Sequence, residues 1–200
     1  MAAPTLHRTF TAAEYERMVE TGILSEDERV ELLGGEINAM SPIGVHHAYA
    51  VRTLTNLLVK QIGHAAIIDV QNPIRLDDNS MPLPDIAVLC SRDYSSVLPT
   101  PADVLLLIEV ADSSREYDRG MKFPRYAAAG IAEAWLVDLA AGVVERHSEP
   151  RDGFYRQITI ARSSDTLAST VLTELTIPVD TVLGIGDTII AASNNPRRGT

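Results

Sequence analysis

The chain has 200 residues, 46% of them hydrophobic and 22% charged, which predicts a globular domain with a sizeable core and excludes wholesale disorder. Its formal net charge of −10 argues against broad, nonspecific nucleic-acid binding, because a phosphate backbone rewards clustered Lys and Arg. No apolar run approaches the roughly 20 residues of a membrane span, so no membrane association is expected. The N-terminus has no basic start followed by an apolar stretch, so no secretory signal is expected either. Cys90 is the single cysteine, which excludes an internal disulfide and cysteine-rich zinc sites and fits a reducing cytoplasm.

The charge is unevenly spread. Residues 1–40 carry eight acids against Arg8, Arg17 and Arg29, so half of the net charge sits there. Residues 113–126 carry Arg115, Arg119, Lys122 and Arg125 against Glu116 and Asp118, a local excess of two positives. A small basic patch on an acidic chain suits a focused phosphate site better than a long groove.

In chain order, Phe10 to Tyr15 starts a helix with Thr11 as N-cap and Glu14 completing a capping box, and Gly22 ends it. Two short strands around Gly34-Gly35 read as a hairpin. From His46 to Ile62, apolar residues at Ala50, Val51, Leu54, Leu57, Leu58 and Ile62 mark an amphipathic helix capped by Gly63. Ala65 to Leu76 reads as a strand bent at Pro73, followed by a turn over residues 77–80 and a second strand from Ile86 to Cys90. The nearly unbroken apolar run from Val104 to Ile108 predicts a strand covered on both faces. A charged loop and a short helix lead to another apolar strand, Ala134 to Val137. Val143–His147 and Tyr155–Ile160 complete an antiparallel meander, and Pro178–Leu183 reads as one helical turn. These elements predict one α+β domain over residues 1–190, its mixed and mainly antiparallel sheet flanked by helices, with a mobile tail over 191–200.

The run from Val104 ends in a carboxylate, Glu109, which is costly at the end of a buried strand unless something pairs with it. If the strands beginning at Asp85 and ending at Glu109 are antiparallel neighbours, these two acids lie side by side. They repel unless a cation intervenes, and a hard divalent ion such as Mg²⁺ resolves the conflict. The blander reading makes Asp85 a turn residue after Pro84 and pairs Glu109 with an arginine. Lys122 lies two residues before Pro124, which places it in the first turn of a helix, where a cation opposes the helix dipole and needs compensation. A lysine lying along the surface is the ordinary alternative.

Pro84-Asp85, Glu109 and Lys122 together resemble the PD-(D/E)XK nuclease superfamily with a migrated lysine. More narrowly, the chain resembles a restriction-endonuclease-like family widespread in bacterial genomes and long catalogued as a domain of unknown function. The resemblance covers about residues 10–150 and includes RVELLGGEI, Met40-Ser41-Pro42 followed by His47, IEVADSS, Asp118 with Lys122, and Tyr126 leading into GIAEAWLVD. It implies a restriction-endonuclease-like core in which Asp85 and Glu109, helped by the Val110 carbonyl, hold the metal. Lys122 would orient or activate water and stabilise charge on the phosphate, and Glu31 would be an additional acid at the site. The superfamily's usual lysine position, two residues after the glutamate, is here Ala111. His47, Arg119 and Tyr126 are further candidates for substrate contact, with Gln71 a weaker one. Tyr126 and Trp135 also read as core or interface aromatics, and Cys90, at the end of an apolar strand, as a buried small hydrophobe.

The resulting expectation is a Mg²⁺-dependent endonuclease, with Mn²⁺ as a possible substitute, that cleaves DNA in the cytoplasm. Two other classes fit the same residues: a noncatalytic module of the same fold serving a partner, and a metal-dependent hydrolase of another phosphorylated substrate. The strands after Gly142 extend past the nuclease-like core, and an exposed edge there would favour a homodimer or higher homo-oligomer.

Overall fold

A computed structural model describes residues 8–25 and 27–185. The chain opens with α1 (Ala12–Glu20), whose capping box forms as the Thr11–Glu14 spacing predicts: the Thr11 hydroxyl accepts from the Glu14 amide while the Glu14 carboxylate accepts from the Thr11 amide. Then come the hairpin strands β1 (Val30–Leu33) and β2 (Glu36–Ala39). Gly34 and Gly35 both have positive φ, which a tight two-residue turn needs and glycine adopts without strain. Backbone hydrogen bonds in both directions between Leu32 and Met81 tie the hairpin to the segment that leads into Asp85.

The long helix α2 (Val45–Ile62) precedes the sheet strands β3 (Ala66–Val70), β4 (Ile86–Cys90) and β5 (Val104–Ala111). A helical crossover then runs through α3 (Arg115–Tyr117), a π-helical turn over Asp118–Lys122, and α4 (Phe123–Ala128). Strands β6 (Glu133–Asp138), β7 (Val143–Arg151) and β8 (Phe154–Ala161) follow. The chain continues through the short pair β9 (Thr166–Ala168) and β10 (Thr176–Pro178) to α5 (Val179–Leu183).

The main sheet has six strands in the order β3-β4-β5-β6-β7-β8. Only β5 and β6 run parallel, as strands joined by a helical crossover must; the other pairs are antiparallel. One face packs Val88, Ile108, Trp135 and Val137 against Leu54 and Leu58 of α2 and Val179 and Val182 of α5. The other packs Ala87, Leu107, Ala111 and Leu136 beneath Phe123 and Tyr126 of the crossover. The central strands are covered on both sides, which is why β5 and β6 are apolar at successive residues. The result is the expected α+β class: a mainly antiparallel mixed sheet between helices, extended by the β6-β7-β8 meander.

Three sequence expectations need correcting. The strand expected from Ala65 to Leu76 stops at Val70, because Gln71 adopts a φ of 55° and turns the chain out of the sheet. Ile74 and Leu76 are still buried, but in the crossover-side core rather than in a strand. Second, Lys122 is not in a first helical turn, since the helical segment already begins at Arg115. Pro124 has no N–H to offer the Gly120 carbonyl, and the ladder changes to π spacing just before it, with the Phe123 amide bonding to Asp118. Third, Cys90 is partly rather than fully buried. The expected tail at 191–200 lies outside the described residues. Among the described residues, no helix is long and apolar enough to cross a membrane.

Candidate active site

The register pairs Ile86 with Ile108, so one step further Asp85 faces Glu109, and the Val110 amide donates to Asp85 Oδ2 at 2.9 Å. Both acids emerge on the crossover side of the sheet. There Lys122, only 3% exposed, places Nζ 3.3 Å from Glu109 Oε1 and 3.2 Å from Glu31 Oε2. The π turn gives Lys122 this position by re-aiming its side chain across the sheet. Glu31 comes from β1 and is itself buried. These groups meet at a cleft of about 350 Å³ whose rim includes Arg29, the loop from Met40 to Gly44, and Asp112 to Ser114.

Each acid is held by further donors. Asp85 accepts from His47 Nε2 at 3.0 Å and from Gln71 Nε2 at 3.1 Å, in addition to the Val110 amide. Glu31 accepts from the Leu83 amide at 3.1 Å and from the Tyr117 hydroxyl at 3.0 Å. Glu109 Oε1 accepts from the Tyr126 hydroxyl as well as from Lys122. Asp118 completes the ring, accepting from the Ser114 hydroxyl at 2.8 Å.

The electrostatics follow from burial and crowding. Burial pushes Asp85 up, but the hydrogen bond and charge of His47, the Val110 amide and Gln71 together outweigh it and hold the carboxyl below its ordinary range. Burial drives Glu109 well above the carboxylate range; Lys122 opposes this, while Asp118, Asp85 and Glu31 add to it. Asp118 is raised to about 6, chiefly by burial. Burial disfavours the Lys122 ammonium, yet Glu109, Glu31, Asp118 and Asp85 outweigh that cost and raise its pKa above the usual lysine value. Four carboxylates thus surround one ammonium.

This donor set fits a hard divalent cation by its chemistry: the groups are oxygen ligands, and their negative charge exceeds what Lys122 neutralises. As the side chains stand, Lys122 occupies the gap between Glu31 and Glu109, and no group of three or more His, Cys, Asp or Glu among the described residues is arranged to hold a metal.

The structure therefore gathers Asp85, Glu109, Lys122, Glu31, Val110 and His47 at one cleft. It separates the other two candidates from the cleft surface. Arg119 points away and pairs with Glu145 and Asp138, because those acids lie on β7 and β6 beyond the crossover. Tyr126 is fully buried, so it reaches Glu109 from inside the core and cannot meet a substrate. Nothing in the local sequence pattern marks Tyr117, since its bond to Glu31 depends on β1 arriving opposite. Gln71 was the weakest candidate, yet it bonds directly to Asp85.

Comparison with known proteins agrees with this architecture. A solved structure described as a "putative nuclease belonging to DUF820" from Anabaena variabilis superposes with a TM-score of 0.70, over 88% of this chain and 98% of the other, at 12% identity. At that identity the likeness is one of fold. No curated protein matches the chain. The model of the Uma2 family, described as "Putative restriction endonuclease", matches residues 12–180, a span that holds every element from α1 to β10 and every acid of the cleft. The chain belongs to this restriction-endonuclease-like family.

Proposed function

We propose that the cleft hydrolyses phosphodiester bonds of DNA with a divalent metal, Mg²⁺ or Mn²⁺. The observation that carries this reading is the convergence of Asp85, Glu109 and Glu31 from three separate strands or strand ends around the Lys122 ammonium. Asp85 and Glu109 would hold the ion, which supplies Lewis-acid polarisation of a phosphate oxygen. Lys122, buried and pinned in its charged form by its acidic neighbours, acts as a fixed positive charge toward a phosphate and not as a proton acceptor. His47 and Gln71 orient Asp85, and Tyr126 orients Glu109 from beneath. The overall charge of −10 disfavours nonspecific wrapping of DNA, so recognition rests on phosphates at this cleft. A cytoplasmic setting accords with the single cysteine.

Nicking of supercoiled plasmid, with Mg²⁺, Mn²⁺ or chelator, tests the proposal. Wild type should nick only with metal. Asp85→Ala and Glu109→Ala should each lose at least about a hundredfold in rate, the scale on which removing one electrostatic contributor is felt, with circular dichroism unchanged. Metal-dependent nicking that persists in Asp85→Ala would refute the site assignment. Calorimetric Mg²⁺ binding that Glu109→Ala abolishes, without cleavage of DNA, RNA or a small phosphodiester, would establish a noncatalytic metal-binding module instead.

A further inference from the structure

The two edges of the main sheet differ. The β3 edge is five residues long and carries Asp69, which blunts pairing with another strand. The β8 edge is eight residues long, contains no proline, and carries Arg156 as its one charge. Along it Phe154, Ile158 and Ile160 are 60%, 54% and 44% exposed. These three side chains line a second groove with Phe123 and Pro124 of the crossover, separate from the acidic cleft. Isolated exposed apolar residues are ordinary, but three on one open strand beside an apolar groove form a surface that water solvates poorly.

We propose that β8 is a homodimer interface, in which two copies pair their β8 strands antiparallel about a two-fold axis at Gln157. Two arguments select a second copy of this chain. With the axis at Gln157, Phe154 faces the second copy's Ile160 on both sides of the axis, and Arg156 faces Ile158 rather than its own copy. The strand is therefore self-complementary, as an isologous contact requires. The hairpin from Arg151 to Ala161 also holds two arginines against Asp152, so the contact avoids the acidic repulsion that residues 1–40 would impose. Pairing satisfies the open backbone edge and joins the two sheets into one of twelve strands, twice the six of each copy. The acidic clefts stay open, since they lie at the β4–β5 end of the sheet.

Sedimentation velocity over a concentration series tests this, with two variants. Wild type should sediment as a dimer. Ile158→Glu alters both halves of the interface at once and should raise the dissociation constant by more than about tenfold, equivalent to about 1.4 kcal/mol, with an unchanged circular dichroism spectrum. Gln157→Cys in a Cys90→Ser background should form a covalent dimer on mild oxidation, because antiparallel neighbours at a two-fold bring their Cα atoms within disulfide reach. A monomeric wild type at high concentration, a dimer indifferent to Ile158→Glu, or a dimeric Gln157→Cys protein that fails to cross-link would overturn the proposal.

Discussion

Lys122 and Glu31 meet in the interior, Nζ to Oε2 at 3.2 Å, with both side chains almost fully buried. The contact joins the crossover helix to the first hairpin, two parts of the chain that share no strand of the main sheet. A buried ion pair of this kind seldom adds much net stability, because desolvation offsets the attraction. Breaking it is another matter, since Glu31, Glu109 and Asp118 would then crowd together without a counter-charge.

Lys122→Met should therefore destabilise the fold by about 3–5 kcal/mol near pH 8. The loss should shrink toward pH 5. The Glu109 pKa in the folded state is already raised by burial, and removing the ammonium that opposes this raises it further. The folded protein then keeps a proton that the unfolded chain releases, so stability falls as pH rises through that interval. Urea denaturation of wild type and variant at pH 5 and pH 8 measures the difference. Equal losses at both values would show that the acids are not coupled to Lys122.

Asp118 should make stability decline over a defined window. Its folded pKa of about 6 exceeds the ordinary 3.8, so between those values the native state binds more protons than the unfolded chain. Stability from this group is full below about pH 4 and is lost as pH rises through about 6. The interval corresponds to about 3 kcal/mol at most. Asp118→Asn should flatten the profile there and be more stable than wild type at pH 7.5, as chemical denaturation across pH 4–8 would read. An unchanged slope would contradict the assigned burial effect.

Gln71 separates a strain effect from a hydrogen-bond effect. At φ 55° a non-glycine residue sits in a region that costs roughly 1–2 kcal/mol, while its side chain holds Asp85 Oδ1. Gln71→Gly relieves the strain, and Gln71→Ala does not. The glycine variant should be about 1 kcal/mol more stable than the alanine variant, yet both should weaken Mg²⁺ binding alike, because both lose the amide that orients Asp85. Thermal unfolding and calorimetry with MgCl₂ read the two effects separately. Wild-type metal affinity in either variant would remove Gln71 from the site.

Tyr126→Phe keeps the buried ring and deletes the hydroxyl that donates to Glu109. If the hydroxyl positions Glu109, plasmid nicking at saturating DNA should slow by about tenfold, and the Mg²⁺ concentration needed for half-maximal rate should rise, with DNA affinity unchanged. The hydrogen bond itself should be worth about 1.5–3 kcal/mol of stability, as for bonds to charged groups. A rate loss accompanied by weaker DNA binding would instead mark a substrate contact, which the burial of Tyr126 argues against.

What the sequence determined by itself was local. Thr11 and Glu14 specified a cap because their spacing matches one helical turn, and Gly34-Gly35 specified a hairpin because only glycine adopts that turn without strain. The unbroken apolar runs of β5 and β6 specified central, doubly covered strands. Asp85 and Glu109 were legible as neighbours because antiparallel register is a rule of two adjacent strands. Contacts that depend on how separate elements meet were not legible. The end of β3 hinges on one backbone angle at Gln71, and the aim of Lys122 hinges on a π turn that a helical period cannot anticipate. Arg119 and Lys122 lie three residues apart with similar chemistry, yet one reaches the cleft and the other turns to Glu145. Packing decided between them: a residue's type sets which partners it needs, but only the folded arrangement of β1, β7 and the crossover decides which partner is within reach.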